Sequence, residues 1–307
     1  MTRRIAKTMK RDADTRKVEG SAAGARTTAD QASSELIKLI DIALAEDIST
    51  GDITAEALVP EQARSTASLV LKESAVVAGL KVFEMVMKRC DAELSFEARV
   101  SDSEQIPHVP YCLARMEGNS RAMLAAERTA LNMIQRMCGI ATLTRKYADK
   151  AQGLGIEILD TRKTTPGLRV LEKSAVKLGG GTNHRFGLYD AILIKDNHRA
   201  IAGGVRPAIK RARLSNPDLP IEIEVNTLEQ LEEALELSVE RVMLDNMSPE
   251  QVKQAVEIAA GRTYLEVSGG ISLETIDNYL IAGVNGISVG ALTHSVKNID
   301  ISLEFEE

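Results

Sequence analysis

After residue 150 the chain alternates short apolar segments with longer amphipathic ones, and this alternation limits its possible folds more than any other feature. Helices are predicted at Leu228–Leu237, Pro249–Ala260 and Leu273–Ala282. Predicted strands are Ile156–Asp160, Ala191–Asp196, Ile221–Val225, Arg241–Asp245, Tyr264–Ser268 and Gly286–Val289. Because strands that alternate with helices form parallel βα units, we expect an α/β fold here, either a barrel or a doubly wound sheet.

The part of the chain before residue 140 follows a different pattern. From Glu35 onward, apolar residues recur at helical spacing as far as Leu44, and this helix is predicted to end before Glu46. Strand-like segments at 66–71 and 94–100 enclose a predicted helix at about 79–90. The span 120–150 is predicted to be a long helical region that breaks near Gly139. These elements predict a mixed α+β unit.

Residues 1–33 have no sustained apolar period. Residues 1–26 contain eight basic and three acidic residues, a net charge of +5, so the remaining chain carries −11. We interpret 1–33 as a solvated leader, disordered or weakly helical. A transit peptide and an anion-binding arm are the alternatives, and Asp12, Asp14 and Glu19 count against the transit peptide.

Composition excludes several classes of protein. No apolar run approaches 18 residues, which excludes a transmembrane protein. Cys90, Cys112 and Cys138 form no C-x-x-C pair, so neither a disulfide scaffold nor a structural zinc site is expected. A reducing, cytoplasmic location fits best. An acidic body with 3% aromatic residues and no tryptophan argues against nucleic-acid binding.

Polar residues gather where the predicted strands of the second half end. They are Asp160 to Lys163, Lys195 to Asn197, Glu224, Asp245 and Asn246, Ser268 to Gly270, and Ser288 to Gly290. In a βα-barrel these carboxyl ends open on one face, which is where such enzymes carry their chemistry. The sequence therefore predicts a site at this face.

That face is cationic within an acidic body. Its basic residues are Arg162, Lys163, His184, Arg185 and Lys195. Arginine grips carboxylates and phosphates with paired hydrogen bonds, and lysine supplies a compact charge. Any one of these residues alone is more simply a solvated surface charge. Together they predict a site for a polyanion.

Glycine clusters and two acidic residues complete the predicted site. Ser268-Gly269-Gly270 and Gly290-Ala291 follow strands, where backbone N–H groups often bind phosphate; a tight turn without a ligand is the alternative. Glu224 and Asp245 are either salt-bridge partners, or ligands of a divalent metal or of sugar hydroxyls. No P-loop, dinucleotide-binding fingerprint, metalloprotease motif or Ser/His/Asp order is present.

Several motifs resemble those of the quinolinate phosphoribosyltransferase family, over residues 35–302. They lie at Glu46 to Thr54, Glu127 to Asn132, Asp160 to Arg169, Leu171 to Lys173, Gly179 to Leu188, Leu193 to His198, Glu222 to Val225, Met243 to Asn246, Ser268 to Ile271, and Gly290 to Ser295. Small departures occur at Ala55 and Ser174, away from the expected ligand-binding positions.

The resemblance implies an incomplete six-stranded α/β barrel together with an N-terminal α/β sandwich domain. The leader would occupy 1–33, the sandwich 34–139 joined by 293–307, and the catalytic barrel 140–292. It further implies a homo-oligomer, a dimer or a hexamer, whose active sites lie at subunit interfaces.

The implied reaction joins quinolinate to phosphoribosyl pyrophosphate with Mg²⁺ and gives nicotinate mononucleotide, pyrophosphate and CO₂ for NAD biosynthesis. The residues implied to bind quinolinate are Arg128, Arg162, Lys163, His184, Arg185 and Lys195. Glu224 and Asp245 would bind the ribose hydroxyls or Mg²⁺, directly or through phosphoribosyl pyrophosphate. The residues implied to bind phosphate are Ser268, Gly269, Gly270, Gly290 and Ala291.

Two other functions are considered. Related proteins associated with molybdenum transport share the fold, but the motifs around Glu172 and His184 favour quinolinate. A non-catalytic sensor of phosphorylated ligands is the other alternative, and the number of matched site positions counts against it.

Overall fold

The computed structural model describes residues 24–306, with side chains from residue 34 onward. Residues 1–23, most of the predicted leader, lie outside the described residues. The chain divides into two compact units, one that ends at Ser49 and one that begins at Thr50.

The described part of the first unit is helix α1, Gly24–Ile48. It begins before Glu35 and continues past Glu46, so the helix is longer at both ends than the apolar spacing predicts. The segment 24–34 contains three alanines, the strongest helix formers, among glycine, threonine and serine residues that form helices less readily. The helix nevertheless extends beyond its apolar stripe into part of the predicted leader.

The second unit contains the remaining elements. Its helices are α2 (Ile53–Leu58), α3 (Leu80–Cys90), α4 (Ser120–Ala151), α5 (Arg169–Leu178), α6 (Asp196–Ala202), α7 (Val205–Ser215), α8 (Leu228–Glu236), α9 (Pro249–Ala259) and α10 (Ala291–His294). Its strands are β1 (Arg64–Leu71), β2 (Ala75–Val76), β3 (Ser95–Ala98), β4 (Gln105–Ile106), β5 (Tyr111–Asn119), β6 (Glu157–Leu159), β7 (Ile192–Ile194), β8 (Ile221–Val225), β9 (Arg241–Asp245), β10 (Tyr264–Ser268), β11 (Gly286–Ser288) and β12 (Ile301–Phe305). Within residues 24–306, no helix combines the length and apolar character needed to cross a lipid bilayer.

An antiparallel sheet in the order β12-β1-β5-β3 forms the sandwich domain. Strand β1 alternates, so Leu69 and Leu71 are buried while intervening residues are less so. Helix α3 buries Phe83, whose ring centroid lies 6.2 Å from that of Phe96 on β3. Because α3 also packs against α4, the sheet has a helical layer on one face.

The last strand returns from the barrel to this sheet. Strand β12 pairs with β1 so that Leu303 lies opposite Leu69. This pairing supports the proposed assignment of residues 293–307 to the sandwich domain.

Helix α4 is continuous, and the predicted break near Gly139 is wrong. A Cβ atom at Gly139 would overlap the backbone carbonyl of Lys297. The neighbouring Ile299 N–H donates to the carbonyl of Gln135 on the helix, at 3.1 Å. The glycine therefore allows the C-terminal segment to cross close to the helix, at the modest cost that glycine imposes within one.

The barrel domain contains a six-stranded parallel sheet in the order β6-β11-β10-β9-β8-β7. Over residues 24–306, no strand pairing joins β6 to β7, so the barrel is open between them. The six-stranded incomplete α/β barrel is confirmed. Strands β8, β9 and β10 begin and end at the predicted residues, and the last apolar residue of each is followed directly by a polar one.

The predicted helix Leu273–Ala282 is wrong. That segment holds only a 3₁₀ turn, Ile276–Tyr279. The Ser272 N–H donates to the hydroxyl of Thr275 at 2.9 Å, and Gly283 has a left-handed backbone with φ of 100°. The backbone of Leu280 leaves the helical region, with ψ of 62°, so the helical stretch ends there.

Candidate functional site

A cavity of about 360 Å³ opens at the carboxyl ends of the barrel strands. Its lining residues are Thr161, Arg162, Lys163, His184, Arg185, Leu193, Lys195, Glu224, Met243, Asp245, Ser268 and Ser288. The structure thus brings together most of the residues selected from the sequence. They come from several strands, and the parallel sheet aligns those strands at one face.

Two arginines in this cavity form no ion pair among the described residues. Arg162 Nε and Arg185 Nε are buried and have no hydrogen-bond partner among the described residues. Arg185 is fixed by one bond from Nη1 to the Ala191 carbonyl, at 3.0 Å. Burial and the positive charge of Arg162 both lower the pKa of Arg185. A buried N–H without an acceptor is costly, so these two arginines suit an anionic ligand.

Glu224 and Asp245 face the same cavity from neighbouring strands β8 and β9. Lys195 Nζ lies 3.2 Å from Glu224 Oε2, and the Asn246 amide donates to Asp245 Oδ2 at 2.8 Å. The second oxygen of each carboxylate accepts no hydrogen bond from the described residues. Free carboxylate oxygens suit a divalent cation such as Mg²⁺ or the hydroxyl groups of a sugar.

A buried ion pair holds the loop that carries His184. Lys173 Nζ donates to Asp160 Oδ1 at 2.5 Å and to the carbonyl of His184 at 2.9 Å. Asp160 Oδ1 also accepts the His184 N–H at 2.8 Å, and Asn183 donates to Asp160 Oδ2 at 2.6 Å. Burial raises the pKa of Asp160 and lowers the pKa of Lys173, against their mutual attraction. The dense hydrogen bonding offsets part of the desolvation of both charges.

Beneath the cavity, the His184 ring faces two buried carboxylates. Its Nε2 lies 3.0 Å from Glu222 Oε2 and 3.6 Å from Glu266 Oε2. Burial lowers the pKa of His184, but the carboxylates raise it and their effect prevails. The Arg185 N–H donates to Nδ1 at 2.7 Å, which requires a lone pair there. While the ring accepts this bond, it carries its proton on Nε2, which faces Glu222. Direct contact between this ring and a carboxylate ligand requires the ring to turn.

The neighbouring carboxyl groups of Glu222 and Glu266 have pKa values shifted in opposite directions. Burial, followed by the negative charge of Glu222, raises the pKa of Glu266 to about 7, whereas the pKa of Glu222 is lowered because its contacts with His184 outweigh burial. Arg241 Nη2 donates to Glu266 Oε2 at 3.1 Å, and the hydroxyl of Ser288 donates to Oε1. His184, Glu222 and Glu266 each have one atom that could bind a metal ion, and these atoms lie within 4.8 Å of one another. The Arg241 guanidinium already serves this group as its cation, so Glu224 and Asp245 fit a metal better.

The glycine loops flank the cavity. Gly269 and Gly270 have left-handed backbones, with φ of 102° and 63°. A Cβ atom at Gly269 would overlap the side chain of Asn246, so the loop depends on glycine there. A Cβ atom at Gly290 would lie 3.2 Å from Lys163 Cδ. None of these glycines, nor Ala291, lines the cavity itself.

Arg128 is separate from the other predicted residues. It is exposed on α4 and does not line the cavity of its own chain.

Sequence reasoning missed the lower layer of the site. Glu222 lies two residues before Glu224 on β8, and Glu266 lies two residues before Ser268 on β10. Side chains two residues apart on a strand point to the same face of the sheet. The two-residue spacing from Glu224 and from Ser268 could therefore have identified both carboxylates. Ser288 shares the sheet's inward face through its contact with Glu266.

The incomplete barrel has a cationic cavity at the carboxyl ends of its strands, beside two carboxylates that each keep one unbonded oxygen, and this arrangement is that of an α/β-barrel enzyme. Family models agree across both domains. The quinolinate phosphoribosyl transferase N-terminal domain matches residues 52–138, and its C-terminal domain matches residues 140–304.

Individual relatives agree with the family models. A probable nicotinate-nucleotide pyrophosphorylase (carboxylating) of Bacillus subtilis is 42% identical over 271 residues, which cover 88% of this chain and 93% of that protein. A mitochondrial quinolinate phosphoribosyltransferase (decarboxylating) of Nicotiana glauca is 41% identical over 292 residues, which cover 89% of this chain and 82% of that protein. The crystal structure of NadC from Streptococcus pyogenes superposes with a TM-score of 0.85 at 39% identity, covering 89% of this chain and 98% of that one. The chain therefore belongs to the quinolinate phosphoribosyltransferase family, and it is a phosphoribosyltransferase of the pentosyltransferase class.

Proposed function

We propose that the chain transfers the phosphoribosyl group of phosphoribosyl pyrophosphate to quinolinate, with loss of CO₂, and so forms nicotinate mononucleotide for NAD biosynthesis. The observation that carries this proposal is the pair of arginines in the cavity, Arg162 and Arg185, whose buried Nε atoms have no hydrogen-bond partner among the described residues. Two adjacent carboxylates on one small ring match two adjacent cations. Family membership supports the same reaction.

The quinolinate end of the cavity is cationic. Arg162 and Arg185 grip the two carboxylates, and Lys163 and Lys195 add positive charge at the rim. His184 shapes the floor between them and binds a carboxylate if its ring turns. Such an arrangement holds the ring in a fixed orientation, which is the main catalytic contribution of a site that needs no covalent nucleophile.

The ribose end contains the carboxylates. Glu224 and Asp245 hold the ribose hydroxyls or Mg²⁺, and their free oxygens are the hard donors that this ion prefers. Bound Mg²⁺ would supply positive charge to the departing pyrophosphate. The loops at Ser268–Gly270 and Gly290–Ala291 bind the 5′-phosphate through backbone N–H groups.

The chemistry follows from these positions. The ring nitrogen of quinolinate attacks the anomeric carbon as the bond to pyrophosphate breaks, through a transition state with positive charge on the ribose. The alkylated ring is cationic, so it stabilises the electron pair left on C2 when the 2-carboxylate departs as CO₂. A proton then adds at C2 to complete the product.

The complete site contains residues from two subunits. Arg128 lies outside the cavity of its own chain, and we infer that it enters the cavity of a partner in a homodimer or hexamer.

The three cysteines are free, which agrees with a reducing location such as the cytoplasm.

The direct test is incubation of the full-length chain with quinolinate, phosphoribosyl pyrophosphate and Mg²⁺. We expect nicotinate mononucleotide, pyrophosphate and CO₂ in equal amounts, with no product when quinolinate is omitted. An Arg162→Gln variant, which loses one unpaired charge, should form product far more slowly. Failure of the unmodified chain to form any nucleotide would overturn the proposal.

A further inference from the structure

A buried ion pair links the long helix α4 to the barrel at a place not used in the proposed chemistry. Arg136 donates to Glu172 Oε1 through Nε at 2.8 Å and through Nη2 at 2.5 Å. The Glu172 side chain is fully buried, and that of Arg136 is 24% exposed. Arg136 Nη2 also donates to the carbonyl of Thr293, at 3.0 Å, and to the hydroxyl of Thr165, at 2.9 Å.

The same contacts fix two ligand-binding loops to each other. The loop after β6 carries Arg162 and Lys163, and Glu172 Oε2 accepts the N–H of Thr165 in this loop, at 3.1 Å. Helix α10 follows Gly290, and the hydroxyl of Thr293 in α10 donates to the carbonyl of Lys163, at 2.8 Å. Strands β6 and β11, which lead into the two loops, are neighbours in the sheet.

Fold stability alone does not require this arrangement. Replacing a buried ion pair with well-packed apolar residues is often neutral or stabilising. Here one guanidinium instead reaches acceptors in three separate segments: α5, the Arg162 loop and α10. A planar fork of fixed geometry is suited to setting the distances among them.

We propose that Arg136, Glu172 and Thr293, which we name the Arg136 bridge, are positioning residues that hold the quinolinate-binding loop at a fixed distance from the phosphate-binding loop. The inference rests on the proposed function. The bridge contacts neither substrate. It sets the distance between quinolinate and the ribose 5′-phosphate, and hence between the attacking nitrogen and the anomeric carbon.

This role predicts a particular kinetic effect. Each substrate binds mainly to its own loop, so a weakened bridge leaves the separate affinities nearly unchanged. The reaction between the two substrates depends on their alignment, and a displacement of about 1 Å can cost roughly 100-fold in rate. The loss should therefore appear in kcat.

Thr293→Val and Thr293→Ser provide the test. Valine keeps the shape of threonine but removes the hydroxyl that binds the Lys163 carbonyl, whereas serine keeps it. We expect Thr293→Val to lower kcat by about 10-fold or more, with the Kd for quinolinate alone within about 2-fold, and Thr293→Ser to retain most of the activity. The matched control is Thr142→Val on α4, whose hydroxyl accepts the Val76 N–H at 2.8 Å in the sandwich domain. We expect its kcat to be unchanged.

Arg136→Lys is a second variant in case Thr293→Val does not fold. Lysine keeps the charge beside Glu172 but cannot reach three segments with one planar group, so the same loss of kcat is expected. A wild-type kcat in either folded variant, or a loss seen wholly as weaker quinolinate binding, would overturn the inference while leaving the proposed function intact. An inactive unmodified chain would instead contradict the proposed function, and the inference with it.

Discussion

Lys173 Nζ lies 2.5 Å from Asp160 Oδ1, and neither side chain has more than 2% of its surface exposed. This pair connects α5 to the end of β6 and holds the backbone of His184 from both sides. A charge pair this deep is tolerable only when both partners are present and fully hydrogen-bonded.

Removal of either partner should therefore destabilise the fold strongly. We expect Lys173→Met to lower the free energy of unfolding by about 3–5 kcal/mol, because it leaves the Asp160 carboxylate buried without a counter-ion. The control is Lys150→Met, which breaks the exposed pair with Asp277 and should cost less than about 1 kcal/mol. Equal stability of the two variants in urea unfolding would contradict this role.

Glu266 should make stability depend on pH. Its folded pKa of about 7 lies above its ordinary value of 4.5, so the folded state holds the proton more tightly. Its contribution is fully present below pH 4.5 and is lost as the pH rises to about 7. Glu266→Gln removes this dependence, so the variant should gain roughly 2–3 kcal/mol relative to the unmodified chain between pH 4.5 and pH 7.5.

Urea unfolding at those two pH values measures the gain. Glu257→Gln on the exposed side of α9 is the control and should show no such change. A constant difference between Glu266→Gln and the unmodified chain would show that burial does not perturb this carboxyl.

Asp245→Asn separates the two ends of the cavity. It preserves size but removes a carboxylate, so we expect the use of phosphoribosyl pyrophosphate with Mg²⁺ to fall by roughly 10- to 100-fold. Quinolinate affinity, measured by calorimetry, should stay nearly unchanged. The reverse pattern, with lost quinolinate affinity and normal phosphoribosyl pyrophosphate use, would exchange the assigned roles.

The ends of β8, β9 and β10 could be predicted from sequence because the last apolar residue of each strand is followed directly by a polar one. Strands β8, β9 and β10 therefore match their predicted bounds, and the cavity contains Arg162, Lys195 and Glu224 as expected. The predicted bounds of helices and strands were wrong where tertiary contacts decide where an element ends. Gly139 lies within an unbroken helix, where the close crossing of the Lys297 backbone requires a glycine, and local sequence does not reveal this contact.

The supporting residues were harder to find for the same reason. Arg136 and Glu172 are far apart in sequence, and Arg136 has no local pattern that distinguishes it from a solvated arginine. Glu266 was detectable through its two-residue spacing from Ser268, but only its burial shows that it matters.

Arg128 tests whether the sites are shared. If it enters a partner's cavity, a dimer of one Arg128→Ala and one Asp245→Ala subunit contains one intact site. Each variant alone should be nearly inactive. Random reassortment makes about half of the dimers mixed, so roughly a quarter of the unmodified activity should return. Mixed dimers that form and restore nothing would place Arg128 within its own site.

The comparison of quinolinate with nicotinate as substrates tests the central claim most directly. Nicotinate lacks the 2-carboxylate and would leave a partly buried guanidinium without its anion, at a cost of about 3 kcal/mol, which corresponds to roughly 100-fold in kcat/KM. We predict that kcat/KM for nicotinate is at least about 100-fold below that for quinolinate, measured as mononucleotide formed with phosphoribosyl pyrophosphate and Mg²⁺. Comparable values for the two substrates would contradict a cavity built around a dicarboxylate.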